Sequence, residues 1–506
     1  MPVMRAELPA TLYTAEQSRA LDQTAIEQYG LAGFKLMQRA GHAAFATLLH
    51  HWPAIKSLSI LCGSGNNGGD GFVVAGLAHQ RGLAVQLLCV GGDDFEQKLQ
   101  GEALEAWRWC QALGVQAHGY AADTELRGEV LVDAMLGTGL AGPVRGVVER
   151  AIRHCNRSPQ PVLAVDIPSG LCSDTGAVLG VAVQADVTIT FIGLKQGLFT
   201  HQAVDYTGQV EFDGLLVPEA VYEDVPVSAF RTQAEDVAQA LGARRRSSHK
   251  GDSGHVMVIG GDLGFGGAAI MAAQAALRSG AGLVSLVTRP EYVSAALARQ
   301  PELMARGVSS GQDLEPLLEL ADILVIGPGL GRNAWGDQML LQALQSEKPM
   351  VVDADGLNLL AEKNWLRGAR RGNWILTPHP GEAARLLSDD VTTVNQDRFV
   401  SVERLQASCG GVAVLKGAGS LSCDGDALHL CAAGNPGMAV GGMGDVLAGI
   451  IGGLWAQGLK PVDAARLGVY VHARAGDLQA AQNGERGLLP TDLLPCIQAL
   501  VSGLHE

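Results

Sequence analysis

The chain has nine cysteines but no C-x-x-C pair, so neither a zinc cage nor a disulfide framework is signalled and a reducing compartment fits. It lacks any apolar run of about 18 residues that could span a bilayer. Its opening, MPVMRAELPATLYTAEQ, has neither the charged start nor the apolar core of a secretory signal, and a cytoplasmic protein is expected. A basic surplus is missing too: 37 Lys and Arg stand against 52 Asp and Glu, for a net charge of −15. Broad binders of nucleic acid or of membrane surfaces carry a basic footprint, so neither is an expected partner, and small molecules are. No sequence repeat relates the two halves of the chain.

Glycine, by contrast, is abundant. The 66 glycines exceed the ordinary share of about 7%, and most stand at the ends of short Val/Ile/Leu runs, where α/β proteins place ligand loops. With 506 residues, 47% of them hydrophobic and 18% charged, the chain is globular and too long for one core; at roughly 100–200 residues per domain it makes two large domains or three smaller ones.

Thr14-Ala15-Glu16-Gln17 reads as the cap and first turn of a helical stretch reaching residue 50. From about residue 57 the runs SLSIL, VQLLCV, VLVDAML, PVLAVDIP and DVTITFIG alternate with helical segments, the rhythm of a doubly wound parallel sheet. The rhythm lapses at 218–250, a stretch of mixed charge read as having no strand of its own; it holds Arg244-Arg245-Arg246, a solvated linker edge or a phosphate contact. A second α/β rhythm then runs from HVMVIGG through GLVSLVT, ADILVIGPGLG, PMVVDADGL, WILTPHPGE and GVAVLKGAGS to GGMGDVLAGIIGGL. Two different α/β domains are expected, residues 1–222 and 223–506.

The stretch LCGSGNNGGDG contains G-x-G-x-x-G in Gly63, Gly65 and Gly68, after a strand-like run and before a helical one. That setting aims free amides and the positive helix end at a phosphate. Yet Asn66, Asn67 and Asp70 are side chains that a plain pyrophosphate cradle does not need, and no carboxylate stands clearly at the end of VQLLCV. A cofactor-like molecule bound without serving as a cofactor suits the loop better. Two more strand ends carry polar clusters, DAMLGTGLAGP at 133–143 and VDIPSG at 165–170. Strand ends of an open parallel sheet line one crevice. Asn67, Asp133 and Ser169 would there offer amide, carboxylate and hydroxyl oxygens, a hard set suited to a modest cation; each alone also reads as a cap or turn residue. Asp166 is placed as a general acid or base, a strand-end carboxylate expected to add little to stability. Lys195 in FIGLKQGL is a second catalytic candidate or a surface lysine, and Cys62 reads as packing.

In combination, NNGGDG, D-x-x-x-GTGL, VDIPSG and GLK-x-G resemble the N-terminal domain of the NAD(P)H-hydrate repair enzymes, an epimerase of hydrated NADH and NADPH (NADHX and NADPHX), over roughly residues 10–220. The resemblance implies a Rossmann-like three-layer domain. In it Asn66, Asn67, Gly68, Gly69 and Asp70, with Gly137, Thr138, Gly139, Leu140, Ala141, Gly142 and Pro143, hold the hydrate's phosphates and ribose. It further implies that Asn67, Asp133 and Ser169 help bind potassium and that Asp166 contacts the hydrated ring.

In the second half, VLKGAGSL at 414–421 is a strand ending in a glycine turn with Lys416. NPGMAVGGMGDVLAG at 435–449 sets Gly441, Gly442 and Gly444 before Asp445 and an apolar helix. Free amides and a helix end suit a phosphate, and an acid there can take a proton from a hydroxyl while the amides hold a transferring phosphoryl group. The plainer alternative is a tight turn with an Asp cap. TPHPGE at 377–382 fixes His379 between two prolines, as a ligand contact or a structural histidine. Asp353 in DADGLN either holds a magnesium-bound water or caps its turn. Six motifs in order, HKGDSGH, GPGLG, DADGLN, TPHPGE, KGAGS and NPGMAVGGMGDVL, resemble the ADP-dependent NAD(P)H-hydrate dehydratases of the ribokinase-like superfamily, over about residues 225–500. That resemblance implies a ribokinase-like three-layer domain in which Lys416, Gly417, Ala418, Gly419, Ser420 and Gly444 bind ADP, with Mg2+ present. Ala268, Gly329, His379 and Asp445 would contact the hydrate, Asp445 as general base. Val440 departs from the pattern, since similar sequences often carry Thr or Ser before GGMGD.

The expected whole is an α/β chain of two doubly wound domains that epimerises R and S NAD(P)HX and dehydrates the S form with ADP, releasing AMP and phosphate. It takes NADHX, NADPHX and ADP as partners, uses potassium and Mg2+, and forms a homo-oligomer. The rivals are a vitamin-precursor kinase in the second half and a non-catalytic nucleotide-binding module in the first.

Overall fold

The computed structural model describes residues 8–92, 94–363, 365 and 371–504, so the start of the opening segment lies outside the described residues. The chain divides into two compact units, Met1–Phe230 and Arg231–Glu506.

In the first unit seven strands stand in the order Ala117–Gly119, Ala84–Cys89, Ser57–Cys62, Val130–Ala134, Val162–Val165, Val187–Phe191 and Gln209–Asp213, all parallel. A sheet covered on both faces needs apolar residues on both, and the central strands supply them. Leu58, Ile60 and Cys62 pack under the helices Gly33–His51, Asn66–Gln80 and Gly101–Ala112. Leu61 and Leu131 pack the other way, with Ala151 and Ile152 of the helix Gly146–Cys155. The chain enters mid-sheet at Ser57–Cys62, builds outward to Ala117–Gly119, then returns to Val130–Ala134 and builds in the opposite direction. Such a reversal leaves a crevice between the two departing loops, where open parallel sheets take ligands. The loops touch backbone to backbone: a Cβ on Gly63 would lie 1.9 Å from the Met135 carbonyl oxygen.

Thr14 caps the helix Ala15–Glu27 by a reciprocal box, its Oγ1 accepting the Gln17 N–H at 3.2 Å and the Gln17 side chain accepting its own N–H at 2.9 Å. The stretch to residue 50 is not one helix. It breaks around Gly30, whose φ of 68° is left-handed, and resumes as Gly33–His51. The segment 218–250 does contain a strand: Ala229 and Phe230 pair antiparallel with Leu12 and Thr11. Two pairs are too few to show an alternating pattern in the sequence.

The second unit's sheet runs in the order Leu428–Cys431, Ser420–Cys423, Val412–Leu415, Trp374–Leu376, Met350–Val352, Ile323–Ile326, His255–Ile259, Leu283–Thr288 and Met304–Gly307. It is parallel except at Ser420–Cys423, which pairs antiparallel with both neighbours. That exception follows from the KGAG turn, which sends the chain straight back beside Val412–Leu415. Val256, Val258, Val325 and Val414 share one core with the helices Gly266–Arg278, Met443–Ala456 and Pro461–Asn483, and the helix Ala334–Gln345 also packs against Ile323–Ile326. Among the described residues no helix is long and apolar enough to cross a membrane.

Candidate active sites

In the first unit a cleft of about 570 Å³ opens at the sheet reversal, lined among others by Asn66, Asn67 and Asp70, by residues 135–141, and by Asp166 and Lys195. Four of the expected residues do not line it. Gly68 and Gly69 are buried, and a Cβ on them would lie 1.8 Å from the Gly63 carbonyl oxygen and 2.5 Å from the Met37 sulfur, so the packing requires glycine at both. Gly142 and Pro143 are exposed beyond the lining.

Asp166 leaves its strand with a left-handed φ of 67°. Its Oδ1 accepts from Lys195 Nζ at 2.5 Å, and the same ammonium donates to Thr190 Oγ1 and the Phe191 carbonyl oxygen, each at 3.0 Å. Lys195 is 3% exposed, which removes the surface reading. Three acceptors match its three hydrogens, so it is a fixed positive charge behind Asp166. The Asp166 Oδ2 lies 3.6 Å from where a Gly137 Cβ would stand, so a glycine there keeps this oxygen open to the cleft.

Three more carboxylates line the cleft, Asp70, Asp22 and Glu102. Burial pushes Asp70 well up, and the charges of Asp166 and Asp22 add to it while Lys195 opposes. Burial likewise lifts Asp22 to about 6, Lys195 pulling it down and Asp166 pushing it up. Asp22 carries no sequence motif. Its only signal is its place on the capped helix Ala15–Glu27, four residues after Ser18.

The expected cation ligands do converge. Asp133 is fully buried; its Oδ1 accepts from Ser169 Oγ at 2.6 Å and from the Met135 N–H at 3.2 Å, and its Oδ2 from the Ser169 N–H at 2.7 Å. Burial raises it to about 6 against those bonds. Asn67 donates its amide to the Leu136 carbonyl oxygen at 2.8 Å, while its Oδ1 is buried with no hydrogen-bond partner. Asn67 and Ser169 meet at that Leu136 carbonyl oxygen, which also takes Ser169 Oγ at 3.3 Å; buried acceptors are nearly always satisfied, so the orphaned amide oxygen suits a hard cation. Cys62 is buried packing, as expected, and burial pushes its thiol far up.

In the second unit the strand ends carry a charged cluster. Lys416 Nζ meets Asp353 Oδ1 at 2.6 Å, and Thr377 Oγ1 donates to the same oxygen at 2.8 Å. Asp353 heads the helix Ala354–Glu362 but makes no side-chain cap bond, so its capping role falls away. Burial pulls the Lys416 pKa down, but Asp353 and Glu382 outweigh it and hold it above the ordinary lysine value. Glu382, buried, accepts the His379 N–H at 2.8 Å and is lifted by burial to about 7. His379 is a helix cap, its Nδ1 accepting the Gly381 N–H at 2.9 Å, and burial with nearby Lys416 keeps it neutral-leaning. Asp445 sits in the first turn of Met443–Ala456, and burial plus the Asp353 charge raise it to about 7.

Gly444 belongs to this cluster through its missing side chain: a Cβ would lie 3.3 Å from Lys416 Nζ and 3.4 Å from Asp353 Oδ2. The Lys416–Ser420 turn is closed by Ser420 Oγ, which accepts the Gly417 N–H at 3.1 Å and donates to the Gly417 carbonyl oxygen at 2.9 Å. Buried Arg398, which sequence reasoning missed, donates to the Leu415 and Lys416 carbonyl oxygens at 3.2 and 3.3 Å and shapes the turn from behind. Ala268 and Gly329 come together, since a Cβ on Gly329 would lie 3.1 Å from that of Ala268. The arginine run 244–246 is exposed.

Two families match in tandem: one described as YjeF-related protein N-terminus over residues 33–197, and NAD(P)H-hydrate dehydratase over residues 256–499. The chain is 46% identical to the bifunctional NAD(P)H-hydrate repair enzyme Nnr of Coxiella burnetii, over 97% of this chain and 99% of that one. It is 45% identical to the Escherichia coli enzyme of the same name, over 98% and 95% of the two chains. Among solved structures, a ribokinase-like superfamily protein from Enterococcus faecalis is 30% identical with a TM-score of 0.50, over 55% of this chain and 96% of that one.

Proposed function

This chain belongs to the family of bifunctional NAD(P)H-hydrate repair enzymes, and on that premise we propose how its two units divide the repair of one damaged cofactor. The enzyme is bifunctional, an NAD(P)H-hydrate epimerase followed by an NAD(P)H-hydrate dehydratase. Hydration of the reduced ring yields R and S forms at C6. The epimerase interconverts them, so that a dehydratase specific for one can clear both.

In the first unit Asn66, Asn67, Asp70 and the 137–141 loop hold the hydrate, with Asp166 against its ring and Lys195 fixing the orientation of Asp166. Asn67, Asp133 and Ser169 are the residues that would hold potassium, which when bound supplies a fixed positive charge beside the substrate loops. In the second unit Asp445 takes the proton of the S hydrate's hydroxyl as that oxygen attacks the β-phosphorus of ADP, releasing AMP. Loss of phosphate from C6 together with a proton from C5 then forms the C5–C6 double bond and restores NAD(P)H, the phosphorylated hydroxyl being the better leaving group. The Lys416–Ser420 turn and the amides around Gly444 hold the nucleotide, and Ala268, Gly329 and His379 the hydrate. Because Lys416 already neutralises Asp353, magnesium would come in on the nucleotide's phosphates, as it commonly does, and neutralise their charge. The nine free thiols suit a reducing cytoplasm, and we place the enzyme there as a homo-oligomer.

The observation that carries this reading is Asp445, a carboxylate lifted to about 7 at a helix N-terminus. It is poised to accept a proton near neutrality where phosphate would sit. The test is chromatography of mixed R and S NADHX incubated with enzyme and ADP, ATP or neither. The epimers should equilibrate without nucleotide, and NADH should appear only with one, ADP being preferred. NADH formed without nucleotide would overturn the phosphorylation route.

A further inference from the structure

The cleft of the first unit has a wall that the family match, starting at residue 33, does not include. Ser18, Arg19, Asp22 and Ile26 of the helix Ala15–Glu27 line it opposite the strand-end loops. Ser18 and Asp22 are one turn apart on the same helix face. Ser18 is 6% exposed, and its Oγ is buried with no hydrogen-bond partner. That hydroxyl faces the chain at Gly193, where a Cβ would lie 3.0 Å from it, so the helix is packed down on a strand-end loop and Asp22 is its carboxylate on the cleft.

The wall is also rigid with respect to the catalytic lysine. Just ahead of the helix, Tyr13 donates its N–H to the Leu194 carbonyl oxygen at 2.9 Å and accepts from the Gln196 N–H at 3.1 Å, bracketing Lys195. The Ala15 N–H donates to Asp174 Oδ1 at 2.6 Å. The other charged groups around the cleft are Arg19 on the same helix, Asp70 on Asn66–Gln80, Glu102 on Gly101–Ala112, and Asp166 with Lys195 on strand-end loops. Lys195 is hydrogen-bonded to Asp166, and among the described residues lining the cleft no second lysine joins it in favouring an ionised Asp22.

We propose that Asp22 is the second proton-transfer residue of the epimerase, acting on the hydrated ring across the cleft from Asp166. The assignment rests on the epimerase reading and completes it. C6 of the hydrate bears both a hydroxyl and the ring nitrogen, so its inversion requires one of those bonds to break and re-form. The Asp166 carboxylate accepts the hydroxyl proton, the oxygen's electron pair forms the C6 carbonyl, and the C6–N1 bond breaks. Its electron pair goes to N1, which takes a proton from the Asp22 carboxylic acid. Rotation about the C5–C6 bond presents the other face of the carbonyl. Then N1 returns its proton to Asp22 as it attacks C6, and Asp166 gives its proton back to the oxygen. Protons and electrons balance over the cycle and no co-reactant is used. An Asp22 lifted to about 6 supports its part as the acid.

The test uses the full-length enzyme with Asp22→Asn and Asp22→Glu, following R and S interconversion, with ADP-dependent dehydration of pure S hydrate as the internal control. Asp22→Asn should lower the epimerisation kcat by about 100-fold or more with KM within about threefold, while dehydration stays at the wild-type rate. Its pH profile should lose the limb that falls above pH about 6 in the wild type, and Asp22→Glu should restore much of kcat. An unchanged kcat, a loss confined to KM, or an unaltered pH profile would overturn the assignment. A wild-type enzyme that clears S hydrate but never interconverts the epimers would overturn the epimerase reading itself.

Discussion

Lys416 Nζ and Asp353 Oδ1 meet at 2.6 Å across the end of the strand Trp374–Leu376, which stands between their own strands and contributes Thr377 to the same carboxylate. Gly444 lies against the pair with no side chain to separate them from the helix N-terminus. The charge balance of the proposed dehydratase centre is set at this contact, because the pair's attraction is what holds a half-buried lysine protonated beside two raised acids.

Gly444→Ala should separate stability from function. Alanine is favoured over glycine inside a helix by about 0.5–1 kcal/mol, so the thermal midpoint should hold or rise slightly. The new methyl, 3.3 Å from Lys416 Nζ, should displace the ammonium by a few tenths of an ångström and lower dehydration at least tenfold. Melting curves beside dehydratase assays check this; a variant as active as wild type would remove Gly444 from the centre.

Asp445→Asn should cut dehydration by about 10²–10⁴-fold, leave ADP binding measurable by calorimetry, and spare epimerisation. Given pure R hydrate and ADP, the variant should accumulate S hydrate without NADH. In the wild type the base is competent only when ionised, so kcat/KM should climb as pH rises through about 7. Stability runs the opposite way. The folded pKa is raised, so this group's contribution is full below the ordinary carboxylate range and is lost as pH climbs through about 7. Asp445→Asn should flatten that part of the pH–stability curve.

Asp166→Asn should abolish epimerisation and also cost stability, contrary to what a strand-end carboxylate suggests in the sequence. It removes the anionic partner of a lysine that is 3% exposed; stranding a buried charge costs up to about 3–5 kcal/mol. Adding Lys195→Met to Asp166→Asn should return much of that stability and none of the activity. Denaturant titration of the single and double variants decides it, and a stable single variant would show the ion pair to be dispensable.

Exchanging potassium for lithium or tetramethylammonium should slow epimerisation and lower the melting temperature of the first unit if the orphaned Asn67 Oδ1 takes part in a cation site. Asn67→Ala should abolish both dependences. Equal rates and equal melting in all three salts would remove the site.

Short apolar runs ending in glycine revealed most central strands of both sheets, because a strand buried on both faces must be apolar throughout. Gln209–Asp213 escaped because this edge strand has no fully buried residue, and Ala117–Gly119 because three residues make no period. The proposed cation ligands and Asp166 were legible as polar residues at or near strand ends. Asp22 and Arg398 were not, since each reaches its centre from a helix with no local signature, and only the packing of that helix shows it. At Gly68 and Gly69 a cradle for phosphate and a close approach call for the same residue; Gly68 packs on the Gly63 main chain and Gly69 on the Met37 side chain.

Main chain rests on main chain at both strand reversals, with Gly63 against the Met135 carbonyl and Gly260 against that of Pro328, where a Cβ would lie 1.9 and 2.1 Å away. The gauge of each mouth is thereby set by the thickness of a peptide, a dimension that no substitution elsewhere in the core can alter. Side chains in the layers below can be exchanged over long divergence, with melting temperature wandering, while the jaws keep their separation. Heritable change in robustness and heritable change in chemistry are uncoupled by four atoms of backbone.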